Sequence, residues 1–301
     1  MGLLSLWVES LTYDYEILSS CTHHQSPRSK CEKCVESCNR KAISFVKGVP
    51  SINHEQCTQC GQCIAACSVQ AVAGIFPART IKNHVLFMIG EHVPSTKELL
   101  VYYKRGITKI AYENEINMDW KRSVGDTNAI LQQLGEAPFT FINEKLDTTV
   151  EMSRRELFLG LRKEAKSMVA KMAPAKWRFN QDDLELAKYY PHHQFAKINL
   201  DLANCTLCKA CEILCHKKCL TITDSGFEID AQSCSACRLC EDICPEKAIS
   251  IIDKVSQHEI VTFPVYTKVC TECNQSFNTL NEEDEVCVPC TKRKGFLGVS
   301  S

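Results

Sequence analysis

Cys31, Cys34, Cys38, Cys57, Cys60, Cys63 and Cys67 recur with the same spacing 177 residues later as Cys208, Cys211, Cys215, Cys234, Cys237, Cys240 and Cys244. Thiolates are soft, redox-competent metal ligands. A C-x2-C turn aims two of them, with backbone N–H groups, at one small cage. In a C-x2-C-x2-C-x3-C run the last cysteine reaches the neighbouring cage. This is the ligand spacing of paired [4Fe-4S] clusters, so the chain carries one cluster scaffold twice. The spacing assigns Cys57, Cys60, Cys63 and Cys38 to one N-terminal cluster, and Cys31, Cys34 and Cys67 to its neighbour with Cys21 as fourth ligand. In the second copy Cys205, Cys208, Cys211 and Cys244 form one set, and Cys234, Cys237, Cys240 and Cys215 the other. Losing one crossed ligand should disturb both halves of a module.

Both copies resemble bacterial-type 2[4Fe-4S] ferredoxin modules, over roughly residues 21–76 and 198–253. The resemblance implies two hairpin-and-helix halves per module and one-electron transfer as the chemistry. Only Cys244-Pro245-Glu246-Lys247-Ala248-Ile249 carries the family's C-P-x-x-A-I ending. Asn39, Ser68 and His216 replace the proline elsewhere, which implies looser turns there. Nine residues separate Cys21 from Cys31, where two separate Cys205 from Cys208, so a loop is inserted beside the first cluster. His23 or His24 in that loop could stand in for Cys21. Those two and His192, His193 and His216 are read as non-ligands, and Cys219, at the alanine position of the pattern, as a small buried residue.

A third motif follows Pro264: Cys270-x2-Cys273, thirteen residues, then Cys287-x2-Cys290. Two facing knuckles make a closed four-thiolate site, for which zinc is the first choice and a single rubredoxin-like iron the alternative. A tail this short has too little core to fold alone, so metal binding should supply its stability.

The elements between the motifs must hold them in place. His84 to Gly90 reads as a buried strand, Ser95 to Arg105 as a helix and Ile107 to Tyr112 as a second strand. A second helix follows, its apolar pattern continued by Thr127 to Leu134 and closed by Gly135, and a strand from Phe139 to Ile142 completes a parallel β-α-β-α-β unit. Its ligand end would carry Gly90-Glu91-His92, yet no nucleotide fingerprint is present, so a spacer or docking role is expected. Residues 151–178 are strongly basic and begin with a capping box, Ser153 to Glu156. Leu157, Leu161, Ala165, Met168 and Met172 then form one apolar stripe. Ser153-Arg154-Arg155 lies mid-chain, before a charged stretch, so it is not an export signal. That stretch beside such modules also resembles the ferredoxin-type accessory proteins of periplasmic nitrate reductases.

The expected architecture is therefore α+β and multidomain. An N-terminal segment (1–20) precedes a dicluster module (21–79), a small α/β domain (80–145), a basic helical linker (146–197), a second module (198–255) and a zinc-ribbon-like tail (256–301). A disulfide framework is excluded: the 21 cysteines are odd in number and none falls between Cys67 and Cys205. With 35 basic and 36 acidic residues, charge gives no bias toward nucleic acid or anionic membrane. No secretory leader, lipid anchor or apolar span is read, so a cytoplasmic location is expected. No nucleophile, base dyad or flavin motif appears, and no catalytic site of the chain's own is expected. The leading reading is a four-cluster, polyferredoxin-like relay serving a redox enzyme or carrier protein, with a molybdoenzyme among the candidates. The alternatives are a maturation factor for such an enzyme, and a redox-linked nucleic-acid regulator using the zinc ribbon, with nucleic acid the less expected partner.

Overall fold

The computed structural model describes residues 15–74, 76–77, 79–89, 92–146 and 184–297. The N-terminal apolar run, Gly90 and Glu91, and the basic helix expected over 151–178 lie outside the described residues. The chain divides into two compact units, Met1–His24 with Glu32–Tyr189 and Gln25–Cys31 with Tyr190–Ser301. No helix among the described residues is long and apolar enough to cross a membrane.

The first unit opens with the short strand Glu16–Ile17, antiparallel to Val72–Ala73. Between them lie the helix Lys33–Glu36, the hairpin Ile43–Val46/Val49–Ile52 and the helix Gln62–Ala66. Lys47 and Gly48, at φ 52° and 82°, make the hairpin turn, the two positive angles that match strand twist. Tyr15, Ile43, Ile64 and Val72 pack with Cys34 and Cys63 into one core. Gly74 is required there: a Cβ would stand 2.5 Å from the Ile64 and Tyr15 side chains.

A four-stranded sheet follows. Thr80–Lys82 pairs antiparallel with Val85–Phe87, and Val85–Phe87, Lys109–Tyr112 and Thr140–Asn143 then run parallel. The strand expected from His84 is thus shorter at both ends, because Asn83 and His84, at φ 50° and 61°, turn a hairpin that polar flanking residues conceal. The helix Thr96–Lys104 is capped by Ser95, whose hydroxyl accepts from the Glu98 N–H while the Glu98 carboxylate accepts from the Ser95 N–H. The second helix runs from Met118 to Gln133, so the pattern continued over Thr127 to Leu134 starts at Met118. Asn117 caps it by accepting from the Asp119 N–H at 2.7 Å. Its buried stripe is Trp120, Val124, Thr127 and Leu131, and Gly125-Asp126 only mimics a break. Buried Glu98 also pairs with Arg79 at 3.0 Å, and Arg79 donates further to the carbonyls of His92 and Val93. Each polar atom of that pair has a partner, the condition for tolerating buried charge.

In the second unit His193–Leu200 and Ile249–Gln257 form a long antiparallel pair, with a bulge between Asp253 and Ser256. The helices Ala210–Leu214 and Leu239–Ile243 and the hairpin Leu220–Ile222/Gly226–Asp230 lie between them in sequence. Ile260–Pro264 adds a third strand to that hairpin. Ala196, Ile198, Phe227, Ile229, Ile249 and Ile251 form the core, together with Leu280 from the tail. The Lys30 N–H donates to the Asp242 carboxylate at 2.9 Å, and Arg28 to the Ile243 carbonyl at 3.4 Å, contacts that place Gln25–Cys31 in this unit. The tail itself is the hairpin Tyr266–Val269/Ser276–Thr279 followed by the helix Val288–Leu297.

Candidate metal centres

Each of the four cysteine runs needs its backbone to turn inward around a small object, and the three with full C-x2-C-x2-C spacing do so in the same way. The residue before the second cysteine and the residue after it both have positive φ: Gln59 and Gly61, Leu207 and Lys209, Ala236 and Arg238. A left-handed residue other than glycine, asparagine or aspartate costs roughly 1–2 kcal/mol, so five such side chains mark a demanded geometry. Successive N–H groups turned this way make an anion-binding concavity, suited to an electron-rich sulfur cage. In the first run the matching residue, Glu32, has φ −118° instead.

The step out of each run is equally regular. Lys41, Gln70, Lys218 and Lys247, each three residues after the last cysteine of its run, have φ of 52–53°. The next N–H then points back at the cysteine sulfur. Ala42 donates to Cys38 at 3.3 Å, Ala71 to Cys67 at 3.1 Å, Cys219 to Cys215 at 3.4 Å and Ala248 to Cys244 at 3.2 Å. The three turns without proline are therefore not looser than the one with it, contrary to the expectation from the C-P-x-x-A-I pattern. The left-handed residue and the N–H···S bond shape the turn, and proline merely suits its first position.

Two of the sequence-assigned sets line common cavities. Cys38, Cys57, Cys60 and Cys63 line one cavity of about 460 Å³ in the first unit. Its other walls include Tyr15, Arg40, Phe76, Arg79 and His92. Cys205, Cys208, Cys211 and Cys244 line a second, tighter cavity. Burial first, then the charges of Cys237, Cys234, Cys215 and Cys211, push up the Cys240 thiol. Of the remaining set, Cys21, Cys34 and Cys67 fall in the first unit and Cys31 in the second. Cys21 and Cys34 are buried, whereas Cys31 and Cys67 are half-buried. His23 packs against Phe45 with its ring tilted, centroids 4.8 Å apart. Burial first, then neighbouring cysteines, pushes the Cys63 and Cys211 thiols up to about 12. Such thiols stay protonated at neutral pH without a cation, so loading must release protons.

Sequence reasoning missed three features. Arg79 and His92 wall the first cavity although they lie far along the chain from its cysteines, with no local signal to place them there. The left-handed positions are occupied by Gln, Leu, Lys, Ala and Arg, whose types do not announce them. Cys219 is buried as expected, but it also sits beside Cys215: its N–H donates to the Cys215 sulfur at 3.4 Å, and its thiol donates to the Lys217 carbonyl at 3.8 Å. That neighbour holds the Cys215 thiol down at about 6 and lowers Cys234 as well.

In the tail Cys270, Cys273, Cys287 and Cys290 bring their sulfurs within 4.8 Å of one another. Cys273 and Cys287 are 3.8 Å apart, sulfur to sulfur. Four sulfurs about 2.3 Å from one tetrahedral ion would be spaced about 3.8 Å, so the donor set fits a single metal. The Cys287 N–H donates to the Cys270 sulfur at 3.3 Å, closing the two knuckles on each other.

Inward-turned backbone, crossed cysteine sets and N–H···S bonds define an iron-sulfur protein. Residues 28–71 match the 4Fe-4S dicluster domain family and residues 227–250 the 4Fe-4S binding domain family. The chain thus carries two ferredoxin-type 4Fe-4S domains. Cys21 and the first half of the second module, through Gly226, lie outside the matched stretches. No curated protein matches the chain.

Proposed function

We propose that this chain is a four-cluster electron-transfer protein, a polyferredoxin-like relay in the cytoplasm that serves an oxidoreductase as subunit or partner. The observation that carries the reading is the four-fold recurrence of the turn after each run, each with its left-handed residue and N–H···S bond. Cys57, Cys60, Cys63 and Cys38 would hold one cluster, and Cys21, Cys31, Cys34 and Cys67 its neighbour. Cys205, Cys208, Cys211 and Cys244 would hold a third, and Cys234, Cys237, Cys240 and Cys215 a fourth. Such clusters, when bound, supply one-electron exchange. The chain's own residues do the rest. Backbone N–H groups stabilise charge on the ligand sulfurs, while Ile64, Phe227 and their neighbours keep water away from them. Arg40, on the wall of the first cavity, adds positive charge that favours the reduced state there.

The four cysteines of the tail are assigned a structural zinc, because a closed four-thiolate site with no open position suits a structural ion. The α/β domain is assigned a docking or spacing role, its Arg79 and His92 closing one side of a cluster cavity.

Anaerobically purified protein should contain about 16 irons, about 16 acid-labile sulfides and about one zinc per chain. Roughly eight irons would show that one module is empty and would defeat the four-cluster reading. An oxidoreductase that co-purifies in fixed ratio and reoxidises the reduced chain would identify the partner.

A further inference from the structure

Among the three runs with full C-x2-C-x2-C spacing, the one from Cys57 to Cys63 has the loosest backbone. Its second left-handed position is Gly61, at φ 77°, where the other two runs place Lys209 and Arg238. Glycine adopts that angle without strain but leaves it as easily, so this turn has more freedom to lose. Its first left-handed position is Gln59, at φ 54°, where a side chain carries a steric cost. A turn that is both loose and strained gains from a tie outside the run.

Tyr15 supplies that tie. Its hydroxyl donates to the Gln59 carbonyl at 2.8 Å, from 44 residues away in sequence. Tyr15 is 2% exposed and packs with Cys34, Cys63 and Ile64. Gly74 leaves room for the ring, since a Cβ there would stand 2.5 Å from it. A ring held this closely gives its hydroxyl little freedom of direction. Tyr15 also lines the cavity of Cys38, Cys57, Cys60 and Cys63. The Gln59 carbonyl and the Cys60 N–H lie on opposite edges of one planar trans peptide, so fixing the first fixes the second. Resting on the four-cluster reading above, we propose that Tyr15 is a positioning residue whose hydroxyl locks the Gln59–Cys60 peptide, keeping this run in its ligand-binding turn and its Cys60 N–H in one orientation. Hydrogen bonds to cluster sulfurs stabilise the more negative, reduced state. An N–H free to wander does so less well, so the hydroxyl raises the potential of the cluster held by this set and slows the opening of the run.

The test uses the full-length, cluster-loaded protein and Tyr15→Phe, which keeps the ring and its packing and deletes only the hydroxyl. Iron and sulfide are measured first, so that a shortfall in the parent protein counts against the four-cluster reading and not against this one. Paramagnetic resonance during a potential titration then follows the four components, and the one that Cys60→Ala removes or alters identifies the cluster concerned. In Tyr15→Phe that component should move to lower potential while the other three stay in place. The expected shift is roughly a two- to fivefold change in that cluster's oxidised-to-reduced ratio, where tenfold is about 59 mV for a one-electron couple. Under a ferrous-iron chelator the same cluster should lose iron roughly two- to tenfold faster, the contribution of one ordinary hydrogen bond. Loss of that cluster alone on purification of the variant supports the same reading. The proposal is overturned if iron is intact and all four potentials match the parent. It is equally overturned if both first-module clusters are lost together, which would make Tyr15 a support of the whole core and not of one turn.

Discussion

The two modules share a cysteine spacing but are built with different precision. In the second, both runs enter through paired left-handed residues, and strands of eight and nine residues brace the ends. In the first, those end strands are two residues each, and the first run enters through Glu32 at φ −118°, without a left-handed residue. The family likeness runs the other way. The dicluster family spans most of the first module, while only the latter half of the second is matched. Likeness of sequence and regularity of backbone are therefore separate properties. The first follows side-chain identity along the run, and the second follows what the cage demands of φ and ψ.

The sharpest way to break this comparison is to remove the outlying cysteine of each module. Cys205→Ala should cost the second module one cluster, about four irons, or convert it to a three-iron form. Cys21→Ala should do the same in the first, with one difference. The inserted loop carries His23 and His24, so the decisive variant is Cys21→Ala with both histidines changed to alanine. Iron analysis and resonance spectra of that triple variant decide the point. A full complement of iron would place the fourth ligand elsewhere and end the equivalence of Cys21 with Cys205.

Why was so much of the site legible, and the remainder not? Cysteine spacing is a local code: two residues between ligands fix a turn whatever the rest of the chain does, so the runs could be placed without a structure. The parallel strands around Ile110 were legible because apolar runs alternate with a capped helix. Arg79 with Glu98, and the start of the helix at Met118, were not. Those depend on what the sheet buries, and a polar stretch such as Met118–Gly125 carries its helical period only through Trp120 and Val124.

A smaller effect distinguishes how the cluster-bearing helices are anchored. In the second module the residue after the third cysteine is a glutamate. Glu212 accepts from the Ile222 N–H at 2.9 Å, and Glu241 from the Ile251 N–H at 2.6 Å, each ten residues on. In the first module Val35 and Ile64 take those places, and Ile64 is fully buried. One module ties its helices by charge-assisted hydrogen bonds, the other by packing. Ile64→Ala should cost about 2–4 kcal/mol through the cavity it leaves. Glu241→Ala should cost about 1–2 kcal/mol, the lower part of the range for a charged acceptor that is partly exposed. Thermal unfolding of the loaded protein measures both. Equal losses would mean that the anchoring does not differ.

The smallest expected effect tests the backbone itself. Lys209 and Glu32 both follow the second cysteine drawn on in their runs, yet Lys209 sits at φ 62° and Glu32 at −118°. Both side chains point to solvent, so replacing either with glycine changes little except the backbone. At Lys209 glycine removes a left-handed penalty of about 1–2 kcal/mol and adds an entropic cost of about 0.5–1 kcal/mol. The net is a gain of about 0.5–1 kcal/mol. At Glu32 only the cost applies, so Glu32→Gly should lose about 0.5–1 kcal/mol. Amide hydrogen exchange in the loaded protein, read peptide by peptide, resolves the two, because local opening free energies appear directly as protection. Protection should rise around Ala210–Leu214 in the first variant and fall around Lys33–Glu36 in the second. Parallel changes of the same sign would mean that Glu32 is also forced left-handed when the cage is filled, and the two modules would then differ in sequence but not in backbone.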